Sequence, residues 1–280
     1  MIISKKNEVH LRVKTEPNYA RELSDFFTFE VPGARFMPTY KNRIWDGKIR
    51  LYSVASNEIY VGLLPYIEEF AKRNEIDIEY KEGVLNERKY GTSELDRFVR
   101  RVSPKSKGTT LQIRDYQMAA FTHAVRNDRS LLLSPTASGK SLIIYLLTRW
   151  YESDRVLILV PTTSLVEQMY SDFVDYGYDE KMMQRIYQGH SREITKQVVI
   201  STWQSLYKMP KKFFDNFGCI LGDEVHLFKA KSLTSIMNKL QQCVHRHGFT
   251  GTLDGTQTHR LILEGLFGSV NRVTTTKELM

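Results

Sequence analysis

The chain has 280 residues, 41% hydrophobic and 26% charged, so it is long enough to bury one or two cores and lacks the composition of disordered or fibrous proteins. Lys and Arg outnumber Asp and Glu by 40 to 32, which suits a protein that meets a polyanion. The only two cysteines, Cys219 and Cys243, exclude a disulfide framework and favour a reducing compartment. The sequence shows no signal peptide and no apolar window long enough for a membrane span. We therefore expect a cytoplasmic protein with no membrane partner.

The first part of the chain mixes short strand and helix patterns. Strand patterns occur at 8–13, 48–52, 57–62 and 76–81, and helical spacing occurs at 20–29 and 63–74. This interleaving predicts a small α+β domain over residues 1–95. A basic tract with Pro104 and Gly108 then predicts a linker over residues 96–110, whose charges are either solvated or in contact with nucleic acid.

From residue 111 onward, apolar runs alternate with helical segments. The runs lie at 129–134, 155–160, 197–201, 219–223 and 247–252. The segments at 140–153 and 163–176 have apolar residues at a helical period. Continuous apolar strands separated by helices predict an α/β domain over residues 111–280, with a parallel sheet covered on both faces.

The stretch LSPTASGKSL, residues 133–142, has the form of a phosphate-binding loop between a strand and a helix. Its backbone N–H groups and the helix N-terminus would surround phosphates, Lys140 would reach the β- and γ-phosphates of ATP, and Ser141 would bind Mg²⁺. Ser134 replaces the usual first glycine, but Gly139, where bulk would block the phosphates, is present. The residues predicted to bind the nucleotide here are Thr136, Ala137, Ser138, Gly139, Lys140 and Ser141. Alone, the loop is also consistent with a solvated turn.

A second element, CILGDEVH at residues 219–226, favours the nucleotide site. Its apolar strand delivers two carboxylates at the carboxyl end, where ligands of open parallel sheets bind. We expect Asp223 to hold Mg²⁺ and Glu224 to polarise the water that attacks the γ-phosphate. The alternative is a strand-end turn with two solvated acids.

The ordered set of motifs resembles the superfamily 2 helicases and translocases, whose ATP motor consists of two RecA-like domains. The elements that carry the resemblance are residues 113–117, 134–141 (motif I), 160–165 with Gln168 (motif Ia), 200–204, 223–226 (the DExH form of motif II) and 250–252 (motif III). Relatives commonly have glycine at the position of Ala137, and alanine at that of Gly251. The resemblance implies a RecA-like domain at 111–280 and places the second such domain outside this chain, as the expected partner.

The same resemblance implies roles for individual residues. Arg114 and Gln117 would recognise adenine, with Gln117 as the base reader. His226 would act with Lys140, Asp223 and Glu224 in the hydrolytic site and would link the γ-phosphate to motif III, where Thr250 and Thr252 provide the coupling. The DNA contacts implied in this domain are Pro161, Thr162, Thr163, Thr202 and Trp203.

Residues 35–50, RFMPTYKNRIWDGKIR, resemble the N-terminal domain of recombination and fork-remodelling helicases of tailed phages, which would place the protein in the bacterial host cytoplasm. The segment combines basic side chains with aromatic rings, a pattern typical of phosphate contacts beside stacking surfaces. The residues predicted to bind DNA here are Arg35, Lys41, Arg43, Trp45, Lys48 and Arg50. Alternatively, Trp45 fills the small core, Asp46 and Gly47 form a turn, and the charges are solvated.

One further cluster suggests a metal site only weakly. Cys243, His245 and His247 would share one face of an extended strand, but no fourth ligand lies at metal spacing, so we expect no zinc. The basic residues between 184 and 204 are interpreted as ordinary surface.

These observations predict an ATP-dependent DNA helicase or translocase that remodels branched DNA with little sequence preference. Two alternatives remain: an RNA helicase or restriction-type translocase, because motifs I to III do not distinguish DNA from RNA, and a fragment that binds ATP and DNA without turnover. The 280-residue chain alone is expected to be weakly active or inactive, because the second RecA-like domain supplies half of the hydrolytic site.

Overall fold

The computed structural model describes residues 1–86, 90–135, 137–228, 230–253, 256–275 and 278. The chain divides into two compact units, residues 1–85 with 255–266 and residues 86–254 with 267–280. Within the described ranges, no helix is both long and apolar enough to cross a membrane.

The first unit contains a mixed four-stranded sheet with helices. Its elements are β1 (Ile2–Lys5), β2 (His10–Lys14), α1 (Pro17–Phe26), β3 (Thr28–Glu30), α2 (Pro38–Lys41), β4 (Lys48–Arg50), β5 (Glu58–Tyr60), α3 (Leu64–Arg73) and β6 (Glu79–Tyr80). The sheet order is β5-β2-β1-β6, with β1 parallel to β6 and the other pairs antiparallel. Along β2, Leu11 and Val13 are buried and alternate with polar residues, as one buried sheet face requires. The predicted small α+β domain is confirmed.

The second unit contains a seven-stranded parallel sheet. Its elements are α4 (Thr92–Val102), β7 (Lys105–Ser106), β8 (Thr109–Thr110), α5 (Asp115–Asn127), β9 (Arg129–Leu133), α6 (Lys140–Trp150), β10 (Val156–Val160), α7 (Thr163–Asp175), β11 (Met183–Ile186), β12 (Val198–Thr202), α8 (Trp203–Leu206), α9 (Lys211–Phe214), β13 (Cys219–Gly222), α10 (Ala230–Lys239), β14 (His245–Thr250) and β15 (Val270–Arg272). Helix α11 (Gln257–Phe267) lies between β14 and β15 in the chain. The order is β11-β12-β10-β13-β14-β9-β15, and every neighbouring pair is parallel.

The pattern of burial explains this sheet and locates the site. All residues of β10, β12, β13 and β14 are buried, and so is the stretch Leu142–Thr148 of α6. Because all seven strands run in one direction, the loops after β9, β10, β12, β13 and β14 meet at a single edge of the sheet. The predicted parallel α/β domain is confirmed, with β11 and β15 as additional strands at its two edges.

The segment predicted as a linker, residues 96–110, instead forms part of the second unit. Helix α4 buries Leu95, Phe98 and Val99, and the Phe98 ring lies 4.8 Å from that of Trp150. The β7–β8 hairpin is fixed by Asp175, whose carboxylate accepts hydrogen bonds from Ser106 Oγ (2.7 Å) and from the backbone N–H of Lys107 (2.8 Å). The apolar residues of this tract recur at a helical period that its Pro, Gly and charged residues mask in the sequence. Its basic side chains are exposed: Arg97, Arg100, Arg101, Lys105 and Lys107.

Most of helix α11 belongs to the first unit, although residues 111–280 were predicted to form one domain. Tyr66 donates a 2.6 Å hydrogen bond to Glu264, which is almost fully buried. Gly62 is in close contact with α11, since an added Cβ would lie 1.9 Å from the carbonyl oxygen of Glu264. Contacts of this kind are not visible in the local sequence pattern.

Candidate nucleotide-binding site

The loop between β9 and α6 has the backbone of a phosphate-binding loop. Gly139, immediately before α6, has φ +78°, and a Cβ there would lie 2.4 Å from Gln117 Nε2, so glycine is required both by conformation and by space. Ala137 has φ +66°, which explains why relatives commonly have glycine at this position. Thr136 lies outside the described residues.

Hydrogen bonds accommodate Ser134 at the position of the usual first glycine of the loop. Its side chain is fully buried and shares a 2.5 Å hydrogen bond with Ser138 Oγ, while its backbone N–H donates to the Thr250 carbonyl at 2.8 Å. Since a buried hydroxyl needs a partner, Ser138 provides the compensation that this substitution requires.

The residues predicted to recognise adenine are linked to the same loop by hydrogen bonds. Gln117 Oε1 accepts from the backbone N–H of Arg114 at 3.0 Å, and Gln117 Nε2 donates to the Ser138 carbonyl at 3.0 Å. Tyr116, a contact that the sequence analysis did not single out, also donates to the Ser138 carbonyl, at 3.1 Å. Arg114 donates to the Tyr116 hydroxyl at 3.0 Å and remains exposed.

The two acids after β13 differ strongly in environment. Asp223 is 7% exposed, and burial, followed by the nearby charge of Glu224, raises its pKa to about 6. Glu224 adopts a left-handed conformation (φ +48°), and its backbone N–H donates to Asp223 Oδ1 at 3.0 Å. This turn directs the Glu224 carboxylate toward Lys140, whose Nζ lies 2.6 Å from Glu224 Oε1.

A second network joins the same glutamate to motif III. Thr250 Oγ1 donates to the Thr252 carbonyl at 2.6 Å and therefore accepts from His226 Nδ1 at 2.7 Å, because a hydroxyl has one proton. Glu224 Oε2 accepts from the backbone N–H of Gly251 at 3.3 Å and lies 3.5 Å from His226 Nδ1. Glu224 thus contacts motif I through one carboxylate oxygen and motif III through the other. The link at Gly251 uses the backbone, so it does not depend on the usual alanine side chain.

Ser141, the predicted Mg²⁺ ligand, contacts the end of α7. Its Oγ shares a 2.9 Å hydrogen bond with the Tyr176 hydroxyl. Burial raises the pKa of Asp172, one turn earlier, and Ser141 lowers it in part. The contact with Tyr176 was not predicted, because nothing in the sequence between 163 and 176 distinguishes this residue from the other polar residues there.

The predicted DNA contacts of this unit lie at the carboxyl ends of β10 and β12. Thr162 and Thr163 are exposed, and Thr162 caps α7 by accepting from the backbone N–H of Leu165 at 3.3 Å. Pro161 is buried, and its carbonyl accepts from Gln204 Nε2 at 3.1 Å, which joins the two loops. Thr202 and Trp203 are 4% and 8% exposed, so the Trp203 ring is a packing residue in this structure.

In the first unit, segment 35–50 follows β3 and ends with β4. Its residues that are predicted to bind DNA lie on the surface. Arg35, Lys41, Arg43 and Lys48 are exposed, and Lys48 lies 4.0 Å from Glu30. Arg50 forms a 2.5 Å ion pair with Asp46, so part of its charge is compensated.

The aromatic and apolar residues of this segment are not core residues. Trp45 is half-buried, and its indole N–H donates to the Lys48 carbonyl at 2.8 Å. Phe36, Tyr40 and Ile44 are 66%, 41% and 75% exposed. Side chains of this size that remain exposed beside basic residues offer apolar contact surface next to phosphate contacts.

In the group of Cys243, His245 and His247, both histidines are hydrogen bonded to side chains outside the group. His245 Nδ1 lies 2.7 Å from Asp128 Oδ1, and His247 Nδ1 lies 2.8 Å from Ser130 Oγ. Burial lowers the pKa of His247 well below its usual value. Within the described ranges, no group of three or more His, Cys, Asp or Glu side chains has a geometry that could hold a metal ion.

Comparisons with known proteins show the family of the chain. The family model described as "Type III restriction enzyme, res subunit" matches residues 110–255, and the chain belongs to this family. The model "DNA helicase UvsW, N-terminal" matches residues 3–81. The chain is therefore a UvsW-like member of the superfamily 2 DExH helicases, as the resemblance in the sequence implied.

The most informative relatives come from phage T4. The chain is 34% identical over 283 residues to the ATP-dependent DNA helicase uvsW of Enterobacteria phage T4, which covers 97% of this chain and 55% of that protein. A crystal structure of the UvsW helicase from bacteriophage T4 has a TM-score of 0.89, with 32% identity, and covers 97% of this chain and 99% of that one.

A more distant relative is the DNA 3'-5' translocase XPB2 of Sulfurisphaera tokodaii, 26% identical over 143 residues, which cover 51% of this chain and 31% of that protein. The match to the T4 helicase covers 55% of that protein, so the chain spans about half the length of its T4 relative.

Proposed function

We propose that this chain is part of an ATP-dependent DNA helicase that remodels branched DNA in phage recombination, repair and replication. Branch migration, fork regression and the unwinding of R-loops or D-loops are the reactions we assign to the whole protein. The observation that carries the proposal is the position of Glu224, which contacts Lys140 of motif I and the Gly251 backbone of motif III. The name of the T4 relative, an ATP-dependent DNA helicase, supports the same function.

The residues of the site fit Mg²⁺-bound ATP. Gly139 leaves no side chain between the loop backbone and an incoming phosphate, and Lys140 provides a cation that is 11% exposed. Asp223 is a buried carboxylate whose ionisation is opposed by burial and by Glu224, and a divalent cation would stabilise its charged form. Asp223 and Ser141 would hold Mg²⁺, while Arg114 and Gln117 would recognise adenine.

Bound ATP with Mg²⁺ supplies the phosphoanhydride bond that is cleaved and the positive charge that neutralises its phosphates. In this chain, Lys140 is the group that exchanges its contact with Glu224 for a phosphate oxygen. Glu224, freed from that ion pair, orients the attacking water and accepts its proton. The expected arginines of a second RecA-like domain, the proposed partner of this chain, would complete the site.

The hydrogen bonds of Glu224 also suggest how hydrolysis is communicated. Because Glu224 Oε2 contacts Gly251 N and lies near His226, a change in its charge or position alters the contacts of Thr250 and Thr252. Motif III would thereby transmit the state of the γ-phosphate. The exposed Thr162 and Thr163 lie at the same sheet edge and would contact DNA there, together with backbone groups near Thr202.

We further propose that the surface of Arg35, Lys41, Arg43 and Lys48 binds duplex or branched DNA with little sequence preference. Phosphate contacts of exposed basic residues carry no sequence information, and the exposed rings of Phe36 and Tyr40 provide stacking surfaces for unpaired bases. The bacterial host cytoplasm, where phage DNA is processed, is the compartment that we assign.

ATP hydrolysis assays with branched DNA, duplex DNA and RNA, each on the 280-residue chain and on the whole protein, test this function. We expect turnover in the whole protein to be stimulated most by branched DNA, and the 280-residue chain to bind ATP and DNA with little turnover. Stimulation by RNA alone would favour the RNA helicase, and stimulation by linear duplex DNA without a preference for branches would favour a restriction-type translocase. Absence of turnover in the whole protein would favour a binding module.

A further inference from the structure

The end of helix α7 contacts the hydroxyl group that is expected to bind Mg²⁺. Ser141 is the second residue of α6, and its Oγ lies 2.9 Å from the hydroxyl of Tyr176, directly after α7. The bond therefore joins the start of α6, beside motif I, to the residue that follows α7.

This hydrogen bond determines where the Ser141 hydroxyl is held. A hydroxyl has one proton and two lone pairs, so either of the two groups can donate, and in both cases the bond holds Ser141 Oγ toward Tyr176. A Mg²⁺ ion needs a lone pair of the same oxygen, so the bond to Tyr176 opposes turning Ser141 toward the metal.

Tyr176 is held in place by contacts that do not involve Ser141. Its backbone carbonyl accepts from the backbone N–H of Lys105 at 3.3 Å and from the Tyr145 hydroxyl at 3.2 Å. Its ring lies 5.3 Å from that of Tyr145. The preceding residue, Asp175, is bonded to the β7–β8 hairpin. The tyrosine is thus a fixed group, and Ser141 is the side chain that has to turn away.

We propose that Tyr176 is a positioning residue that holds the Ser141 hydroxyl toward the end of α7, so that Mg²⁺ has to compete with it. This inference rests on the proposed role of Ser141 as a Mg²⁺ ligand. The Mg²⁺ concentration needed for tight ATP binding is therefore set partly by the Tyr176 hydroxyl.

The test is binding of a fluorescent, non-hydrolysable ATP analogue to the 280-residue chain, titrated with Mg²⁺ and in EDTA. Tyr176→Phe keeps the packed ring and removes only the hydroxyl. Because a single hydrogen bond contributes about 0.5–1.5 kcal/mol, we expect the half-saturating Mg²⁺ concentration to fall by roughly 2- to 10-fold, with unchanged binding in EDTA. Tyr178→Phe is the matched control. Tyr178 packs against the same Tyr145 ring as Tyr176, but the hydrogen bond to Ser141 comes from Tyr176.

The outcomes separate this inference from the proposed function. Unchanged or higher Mg²⁺ requirement in Tyr176→Phe, in a chain with wild-type thermal stability, would overturn the competition. Ser141→Ala provides the reference: if it leaves the Mg²⁺ dependence of binding unaltered, Ser141 is not a metal ligand, and the proposed site itself is wrong at this residue. If Ser141→Ala abolishes the Mg²⁺ dependence and Tyr176→Phe has no effect, only the role of α7 is refuted.

Discussion

The buried carboxylate of Asp223 destabilises the protein in its charged form, and this cost can be measured. Its pKa is raised from an ordinary value of 3.8 to about 6, because burial and the charge of Glu224 oppose ionisation. Each pKa unit corresponds to about 1.4 kcal/mol, so ionised Asp223 lowers the free energy of unfolding by about 3 kcal/mol at neutral pH. Asp223→Asn removes the charge and keeps the oxygen that accepts from Glu224 N.

The sign of the pH dependence follows from the raised pKa. A carboxyl group whose pKa is higher in the folded than in the unfolded protein stabilises the fold below pH 4, and this contribution is lost as the pH rises toward 6. Asp223→Asn should therefore match the wild type near pH 4 and exceed it above pH 6 by up to about 3 kcal/mol. For a chain of this length, the midpoint of thermal unfolding should rise by on the order of 5–10 °C.

Thermal unfolding of both chains between pH 4 and pH 8 measures this difference. Asp25→Asn serves as the control, because Asp25 is an exposed carboxylate on α1. Mg²⁺-bound ATP should stabilise the wild type and have little effect on Asp223→Asn. A variant that is equally stabilised at pH 4 and pH 8, or destabilised at pH 8, would refute the reasoning from burial.

Three further variants test the other parts of the account. Lys140→Ala should abolish ATP turnover in the whole protein with little loss of fold, and turnover near the wild-type rate would exclude Lys140 from phosphate binding. Glu224→Gln should bind ATP in equilibrium titrations but hydrolyse it at least 100-fold more slowly, whereas loss of binding would contradict its role as a base. Replacing Lys41, Arg43 and Lys48 together by Ala should lower the slope of log DNA affinity against log salt by up to about 2.7, at about 0.9 per lost phosphate contact. An unchanged slope, with intact ATP binding, would assign the main DNA surface to other residues.

The fold was largely predictable, because its strands bury both faces. The runs at β9, β10, β12 and β13 contain continuous apolar stretches, a pattern typical of central parallel strands, whereas β14 is buried although it begins with His, Arg and His. The edge strands β11 and β15 are partly exposed and shorter, so they lack this pattern. Residues 96–110, which include most of α4, were interpreted as a linker because their Pro, Gly and charged residues outweighed the apolar residues at helical spacing.

The meeting of the candidate site residues at one edge of the sheet was predictable, because they lie in short motifs. Lys140 begins α6 and Thr250 ends β14, and parallel strands bring such residues to one edge. The others follow β13 or β14 within four residues: Asp223, Glu224, His226 and Thr252. Contacts between helices were not predictable. Tyr176 contacts Ser141 only because α6 and α7 pack side by side, and Tyr116 contacts the loop only because α5 packs beside it. Trp203, predicted to contact DNA, lies in the core because its position at the start of α8 faces inward.

The measurement that tests the central claim most directly is the movement of a fluorescently labelled four-way DNA junction by the whole protein. The account predicts ATP-dependent conversion of the junction into two duplexes, no conversion with a non-hydrolysable ATP analogue, and loss of conversion in Glu224→Gln with DNA binding retained. Conversion that proceeds equally without ATP hydrolysis, or that survives Glu224→Gln at the wild-type rate, would contradict the claim that this site drives the remodelling of branched DNA.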